Sequence, residues 1–276
     1  MIYVYLQGGL GNQLFQIFTT IAYSLKHKIP FKLPSKKNDL TSPYGSIYKR
    51  PLYFDNFLSK LKPFLCSNFE HKVLYREKGY SYTKIPVYKD NMLLYGYFQS
   101  YKYFDEYKNS ILKFIDIKTS KTIIKKNQDW NNTISIHFRI GDYIHNQSSH
   151  PILSNDYYIK SLRHIIEKTN KDDWRVIYFF EKKDIEQVSN NITMLKETFP
   201  RLIFQKPPEN LQDWEEMLSM SCCNHNIIAN STFSWWGAYL NENNDKIVCY
   251  PSVWFGNELQ NQTNDLFLDD WTKIIV

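Results

Sequence analysis

A chain of 276 residues with 43% hydrophobic and 22% charged side chains has the composition of a globular protein, and its length favours two domains, each with its own core. Its 34 Lys and Arg against 28 Asp and Glu leave +6 without a long like-charge block. This suits phosphorylated ligands or an anionic membrane face and argues against a duplex nucleic-acid binder, which needs a denser basic face.

Four further features set bounds. The aromatic share of 17%, with 21 Tyr and 18 Phe, suits a surface that meets sugars or bases and equally a Tyr-rich core. Cys66, Cys222, Cys223 and Cys249 lack zinc-type spacing and read as reduced, structural thiols. No apolar run approaches the length of a membrane span, and no basic n-region opens the chain, so it reads as cytoplasmic. No Asp-x-Asp pair occurs anywhere, which removes the usual carboxylate clamp for Mn²⁺ or Mg²⁺ in metal-dependent sugar transfer and predicts that no metal is needed.

The first element, IYVYLQ (2–7), has the β-branched and aromatic composition of a strand. NQLFQIFTTIAYSLKH (12–27) follows with apolar residues at helical spacing. Residues 28–91 are poorly periodic, with scattered Pro and short helical or extended pieces, and read as an irregular insertion. MLLYGYF (92–98) reads as a buried strand and the segment near 103–115 as a helix. The polar, basic stretch 118–132 reads as a linker, which puts the domain boundary between 131 and 132. Beyond it, strands at 133–139, 175–180, 201–205, 226–229 and 246–250 alternate with helices from Ser154, near 183–198, near 210–221 and from Ser234. That alternation predicts an α/β fold with right-handed βαβ units on a parallel sheet.

Three segments carry chemistry. GGLGNQLFQ (8–16) breaks a strand at glycines and restarts as a helix. It fails as a dinucleotide fingerprint, because Leu14 stands where the third glycine belongs, and it fails as a P-loop for want of Gly-Lys-Ser/Thr. What remains is close backbone approach at Gly9 and Gly11, free helix-start amides, and the side-chain amides of Asn12 and Gln13.

SIHFRIGDY (135–143) sends His137 and Arg139 to one side at the carboxyl end of a strand, where such sheets bind ligands. Arg139 can fork onto phosphate oxygens, or can form an ion pair with Asp142. NSTFSWWG (230–237) offers Asn230, Ser231, Thr232 and Ser234 at a helix start, either as an anion site or as simple N-capping, with Trp235 and Trp236 read alone as core.

Taken in order, GGLGNQLFQ, HFRIGDY and NSTFSWWGAYL resemble the α-1,2-fucosyltransferases of glycosyltransferase family 11, and GYFQSYKYF (96–104) and SHPILSNDYY (149–158) add to the likeness. The resemblance implies a GT-B-type fold of two Rossmann-like halves facing across a cleft, with an acceptor-side domain at 1–131 and a GDP-fucose-binding domain at 132–276. It implies inverting transfer of fucose from GDP-β-L-fucose to the 2-hydroxyl of a terminal galactose on an oligosaccharide or glycolipid, with no nucleic acid as partner.

It further implies that His137 touches the nucleotide, Arg139 the β-phosphate, and Glu216 the guanine edge. Ser231, Thr232 and Ser234 would form the phosphate turn, and Asn12 would face the donor. Related enzymes often carry a second consecutive arginine, where this chain has Ile140. Asp142 is the candidate general base, with orientation of Arg139 as its rival role.

Overall fold

The computed structural model describes residues 1–36, 51–88, 90–257, 259 and 263–276. Two α/β units build the chain. Met1–Ser120 together with Asn261–Leu268 form the first, and Lys121–Gln260 with Asp269–Val276 form the second.

The first unit runs β1 (Ile2–Val4), α1 (Leu10–His27), β2 (Phe31–Pro34), β3 (Leu65–Cys66), β4 (Val73–Arg76), β5 (Met92–Tyr95), α2 (Lys108–Phe114) and the start of α3 (Ile117–Asn127). Its strands are all parallel, in the order β3-β2-β1-β5-β4. All three residues of β1 are buried, as a central parallel strand with both faces covered requires.

Helix α1 is buried nearly all round, including Leu14, Phe15, Ile17, Phe18 and Ile21, each contributing roughly 1.5–3 kcal/mol of apolar burial. Two of its inward polar side chains bond to backbone groups. Gln7 N donates to Gln16 Oε1 at 3.0 Å, and Thr20 Oγ1 donates to Gln16 O at 2.7 Å. Lys28, in the left-handed conformation with φ 54°, ends the helix by donating its N–H to Ser24 O.

The short extended pieces expected in residues 28–91 include β2, β3 and β4; the part of that expectation covering 37–50 and 89 lies outside the described residues. One sequence expectation needs correcting here. The expected linker at 118–132 is largely α3. Its anchor is a buried lysine, Lys121, whose Nζ donates to Leu240 O and Glu242 Oε2, each at 2.8 Å. The division between units therefore falls inside α3, whereas the boundary drawn from sequence at 131/132 falls in the loop after it.

The second unit continues with β6 (Thr133–His137), α4 (Asn155–Thr169), β7 (Arg175–Phe179), α5 (Ile185–Thr198), β8 (Ile203–Gln205), α6 (Asp213–Met220), β9 (His225–Ile227), α7 (Thr232–Tyr239), β10 (Val248–Pro251) and β11 (Thr272–Ile274). The six strands are parallel in the order β11-β10-β9-β6-β7-β8. Ile134, Ile136, Phe138, Tyr157, Leu162, Val176 and Ile192 lie in its core. The buried Tyr157 hydroxyl donates to Cys249 O at 3.0 Å, and Trp235 and Trp236 are fully buried, as their core reading predicts.

Both strand orders reverse direction once. From β6 the chain builds outward through β7 and β8, then returns to β9 on the other side; from β1 it builds through β2 and β3, crosses to β4 at the far edge and comes back to β5 beside β1. The crevice at such a switch point, outside the carboxyl ends of the two central strands, is where open α/β sheets bind ligands.

Candidate active site

In the second unit the switch point lies between β6 and β9. Arg139 follows β6 by two residues, and the Ser231–Ser234 turn follows β9 and opens α7. Two motifs almost a hundred residues apart thus reach the same edge of the sheet.

Arg139 is largely buried, with 16% of its side chain exposed, and is held on three sides. Its guanidinium pairs with Asp142 and with Glu181 and lies 4.9 Å from the Tyr143 ring centroid. Of the two roles open to Asp142, the structure provides the geometry of the orienting one. Glu181 also pairs with Lys183 at 2.9 Å. Burial pushes the Glu181 carboxyl up, but Arg139 and Lys183 outweigh it and hold the group below the usual range.

The backbone that presents Arg139 is fixed by an acid the sequence reading missed. Asp184, buried at the start of α5, accepts from the Gly141 amide at 2.8 Å, where the chain turns through φ 32°. Glu181 and Asp184 had a readable signal, since both stand just past the apolar run RVIYFF at the carboxyl end of a strand. Ile140, where a second arginine was expected, is buried in the core of the unit, so its side chain serves packing.

His137 is buried, and its Nδ1 has no hydrogen-bond partner among the described residues. Burial, with Arg139 adding to it, lowers its pKa to about 3, so the imidazole is neutral. Its carbonyl accepts from the Tyr158 hydroxyl at 3.1 Å, and the Phe233 ring of the opposite turn lies 5.5 Å away.

In the 230–234 turn, Ser231 acts as N-cap of α7, accepting from Phe233 N at 3.4 Å. Ser234 Oγ is buried and accepts from Ala229 N at 3.2 Å. Both hydroxyls are thus engaged with backbone. Asn230 is buried; its Nδ2 donates to Pro151 O at 2.8 Å, while its Oδ1 has no partner among the described residues. Thr232 stands at the first helical position, half-buried. Glu216, on α6, has its pKa raised to about 7 by burial and by Asp213.

The GGLGNQ residues belong to the first unit, where they follow β1 at its own switch point. The glycine whose freedom the turn uses is Gly8, at φ 77°; Gly9 is extended at φ −79° and caps α1, and Gly11 lies within the helix. Gln13 is buried and stitches the loop, donating to Gly8 O at 3.1 Å and Pro51 O at 3.0 Å. Asn12 Oδ1 accepts from Gln99 Nε2 at 3.0 Å.

The second unit also has a cavity of about 380 Å³ at the opposite, amino-terminal edge of its sheet, lined in part by Lys121, Trp130, Cys222 and Asn224. None of the expected site residues lines it. Among the described residues no cluster of three or more His, Cys, Asp or Glu is placed to hold a metal ion.

Each unit is a doubly wound α/β sheet, the pair of units that a GT-B-type fold is built from, and the second presents a largely buried arginine near a helix start at its switch point. The chain belongs to glycosyl transferase family 11, whose profile it matches over residues 1–275.

It is similar to the O-antigen biosynthesis glycosyltransferase WbnK of Escherichia coli, at 29% identity over 99% of this chain and 100% of that one. It is also similar to the alpha-1,2-colitosyltransferase of Escherichia coli, at 28% identity over 98% and 97% of the two chains. Among solved structures, the E. coli ADP-heptose LPS heptosyltransferase II superposes with a TM-score of 0.52 at 10% identity, over 99% of this chain and 89% of that one, a likeness of fold.

Proposed function

We propose that this glycosyltransferase moves L-fucose from GDP-β-L-fucose to the 2-hydroxyl of a terminal galactose in a glycan, with inversion and without a metal. The observation that carries the reading is the convergence of Arg139 and the 230–234 turn on one switch point, beside two buried polar atoms, His137 Nδ1 and Asn230 Oδ1, that have no hydrogen-bond partner among the described residues.

In the transfer the acceptor oxygen attacks the anomeric carbon, the bond from that carbon to the β-phosphate oxygen breaks, and GDP leaves with the bonding electrons. Negative charge grows on the β-phosphate, and a guanidinium held rigidly by two carboxylates and an aromatic face is suited to stabilise it. Asp142, which orients Arg139, is also the group that takes the proton the acceptor hydroxyl gives up as its oxygen attacks. His137, uncharged, offers a hydrogen bond to the nucleotide, and Glu216 accepts from guanine. The glycine loop belongs to the acceptor-side unit, and Asn12 in it faces the donor.

A second reading, colitose in place of fucose, is favoured by the name of one relative. Colitose is fucose without its 3-hydroxyl, so the two readings differ by one polar contact in the sugar pocket. A lipid-linked acceptor would bring the enzyme to a membrane surface; no helix among the described residues is long and apolar enough to cross one.

The test is to offer GDP-fucose and GDP-colitose in separate reactions, with EDTA present, to a panel of galactose-terminated acceptors, following GDP release with product mass and linkage. An α-1,2-fucosylated product formed in EDTA is the expected result. Turnover of GDP-colitose alone would select the second reading, and dependence on added Mn²⁺ or Mg²⁺ would overturn the metal-independent mechanism.

A further inference from the structure

The first unit contains a buried carboxyl group that the mechanism above does not use. Glu77 directly follows β4, at the carboxyl edge of the sheet. Its Oε2 accepts from two successive backbone amides, Tyr97 N and Phe98 N, each at 2.7 Å. Its Oε1 is buried with no hydrogen-bond partner among the described residues.

The turn that supplies those amides is shaped around the carboxylate. Phe98 is fully buried with φ 53°, an uncommon conformation for a bulky side chain. A Cβ on Gly96 would stand 2.6 Å from Glu77 Oε2, so glycine is required there for room. Successive amides in a turn that includes a left-handed residue form a concavity that binds anions, and here the chain's own carboxylate occupies it. The next residue, Gln99, donates Nε2 to Asn12 Oδ1 at 3.0 Å, which connects the turn to the glycine-rich loop.

These contacts join the two loops that flank the first unit's switch point, one after β1 and one after β5. We infer that Glu77 is a positioning residue: through the 96–99 turn and Gln99 it sets the side chain of Asn12, and so the glycine-rich loop, for the acceptor. The inference rests on the transferase reading above.

The group's ionisation gives the arrangement a dependence on pH. Burial raises the Glu77 pKa to about 7, against the two amide bonds, which lower it. The phenols of Tyr75, Tyr80 and Tyr103 sense its charge, Tyr97 lies beside it in the turn, and its cationic chain neighbours Arg76 and Lys78 are exposed. Above neutral pH the carboxylate holds both amides with charge-assisted bonds; as the pH falls through 7, protonation weakens that hold.

The test compares wild type with Glu77→Gln, Gln99→Ala and the double variant at saturating donor, confirming by thermal melting that each folds. Glu77→Gln is expected to lower kcat/KM for the acceptor by about tenfold and to flatten the fall in activity below pH 7. If Glu77 acts through Gln99, the double variant loses about as much as one single variant. Multiplying losses, or a low-pH limb retained in Glu77→Gln, would overturn the inference.

Hydrogen exchange at fixed pH needs no substrate and separates this inference from the transferase reading. Faster exchange of amides 8–13 in Glu77→Gln supports the coupling even if GDP-fucose proves to be the wrong donor. Unchanged exchange there refutes it even if the fucosyl transfer is established.

Discussion

Arg139 pairs with two acids and a phenol ring, so its replacement removes a cation and also leaves Asp142 and Glu181 as neighbouring carboxylates without it. Arg139→Ala is expected to reduce kcat/KM by about 10² or more, falling mainly on kcat; turnover near the wild-type value would remove Arg139 from its assigned role. Glu216 supplies a second prediction. Its folded pKa is raised to about 7, so the carboxylate that guanine N–H groups require is fully present only above that value. GDP affinity, followed by calorimetry, should weaken as the pH falls from 8 to 6, and Glu216→Gln should remove that dependence. Of the residues around the arginine, His137, Arg139 and Asp142 were legible from one short motif. Glu181 and Asp184 left only a weaker signal, their place just past an apolar run, because contacts across neighbouring strands leave no spacing in a sequence.

Elements whose stabilising face is apolar could be read from sequence alone. The periodicity of 12–27 and the alternation after 133 correspond to α1 and to the β6–β10 succession, though Leu10 and Gly11 extend α1 into the glycine motif. Helix α3 was hidden because a lysine occupies its inner face, and β2, β3, β4 and β11 because two to four residues are too few to show alternation. A loop element gives a sharper test. Gly256 N donates to Ser149 O at 2.8 Å, and a Cβ at Gly256 would overlap the Ser148 carbonyl. The same 148–150 loop carries His150, whose ring stacks on Tyr143 at 4.9 Å. Gly256→Ala should cost about 1–3 kcal/mol in a denaturant titration and should also disturb the Tyr143 face under Arg139; a variant as stable as wild type would show that the loop yields freely.

At the scale of the molecule, the two parallel sheets were foreseen as a fold class, whereas the path of the chain between units was not, since nothing in the composition of 261–276 marks it. Lys102 pairs with Asp265, and Tyr82 N donates to Asp265 Oδ2 at 2.9 Å, both within the first unit. The residues that follow form β11, which completes the second sheet beside β10. Ending the chain after residue 260 should therefore lower the melting temperature of both units or prevent soluble expression, whereas an unchanged melt would show that neither unit depends on its last segment. The same path bears on how the protein is made. A ribosome releases the chain from its amino end, and domains generally fold as units during synthesis. Here the first unit awaits Asp265 and the second awaits Ile274, so neither can be completed until the segment holding both has been translated.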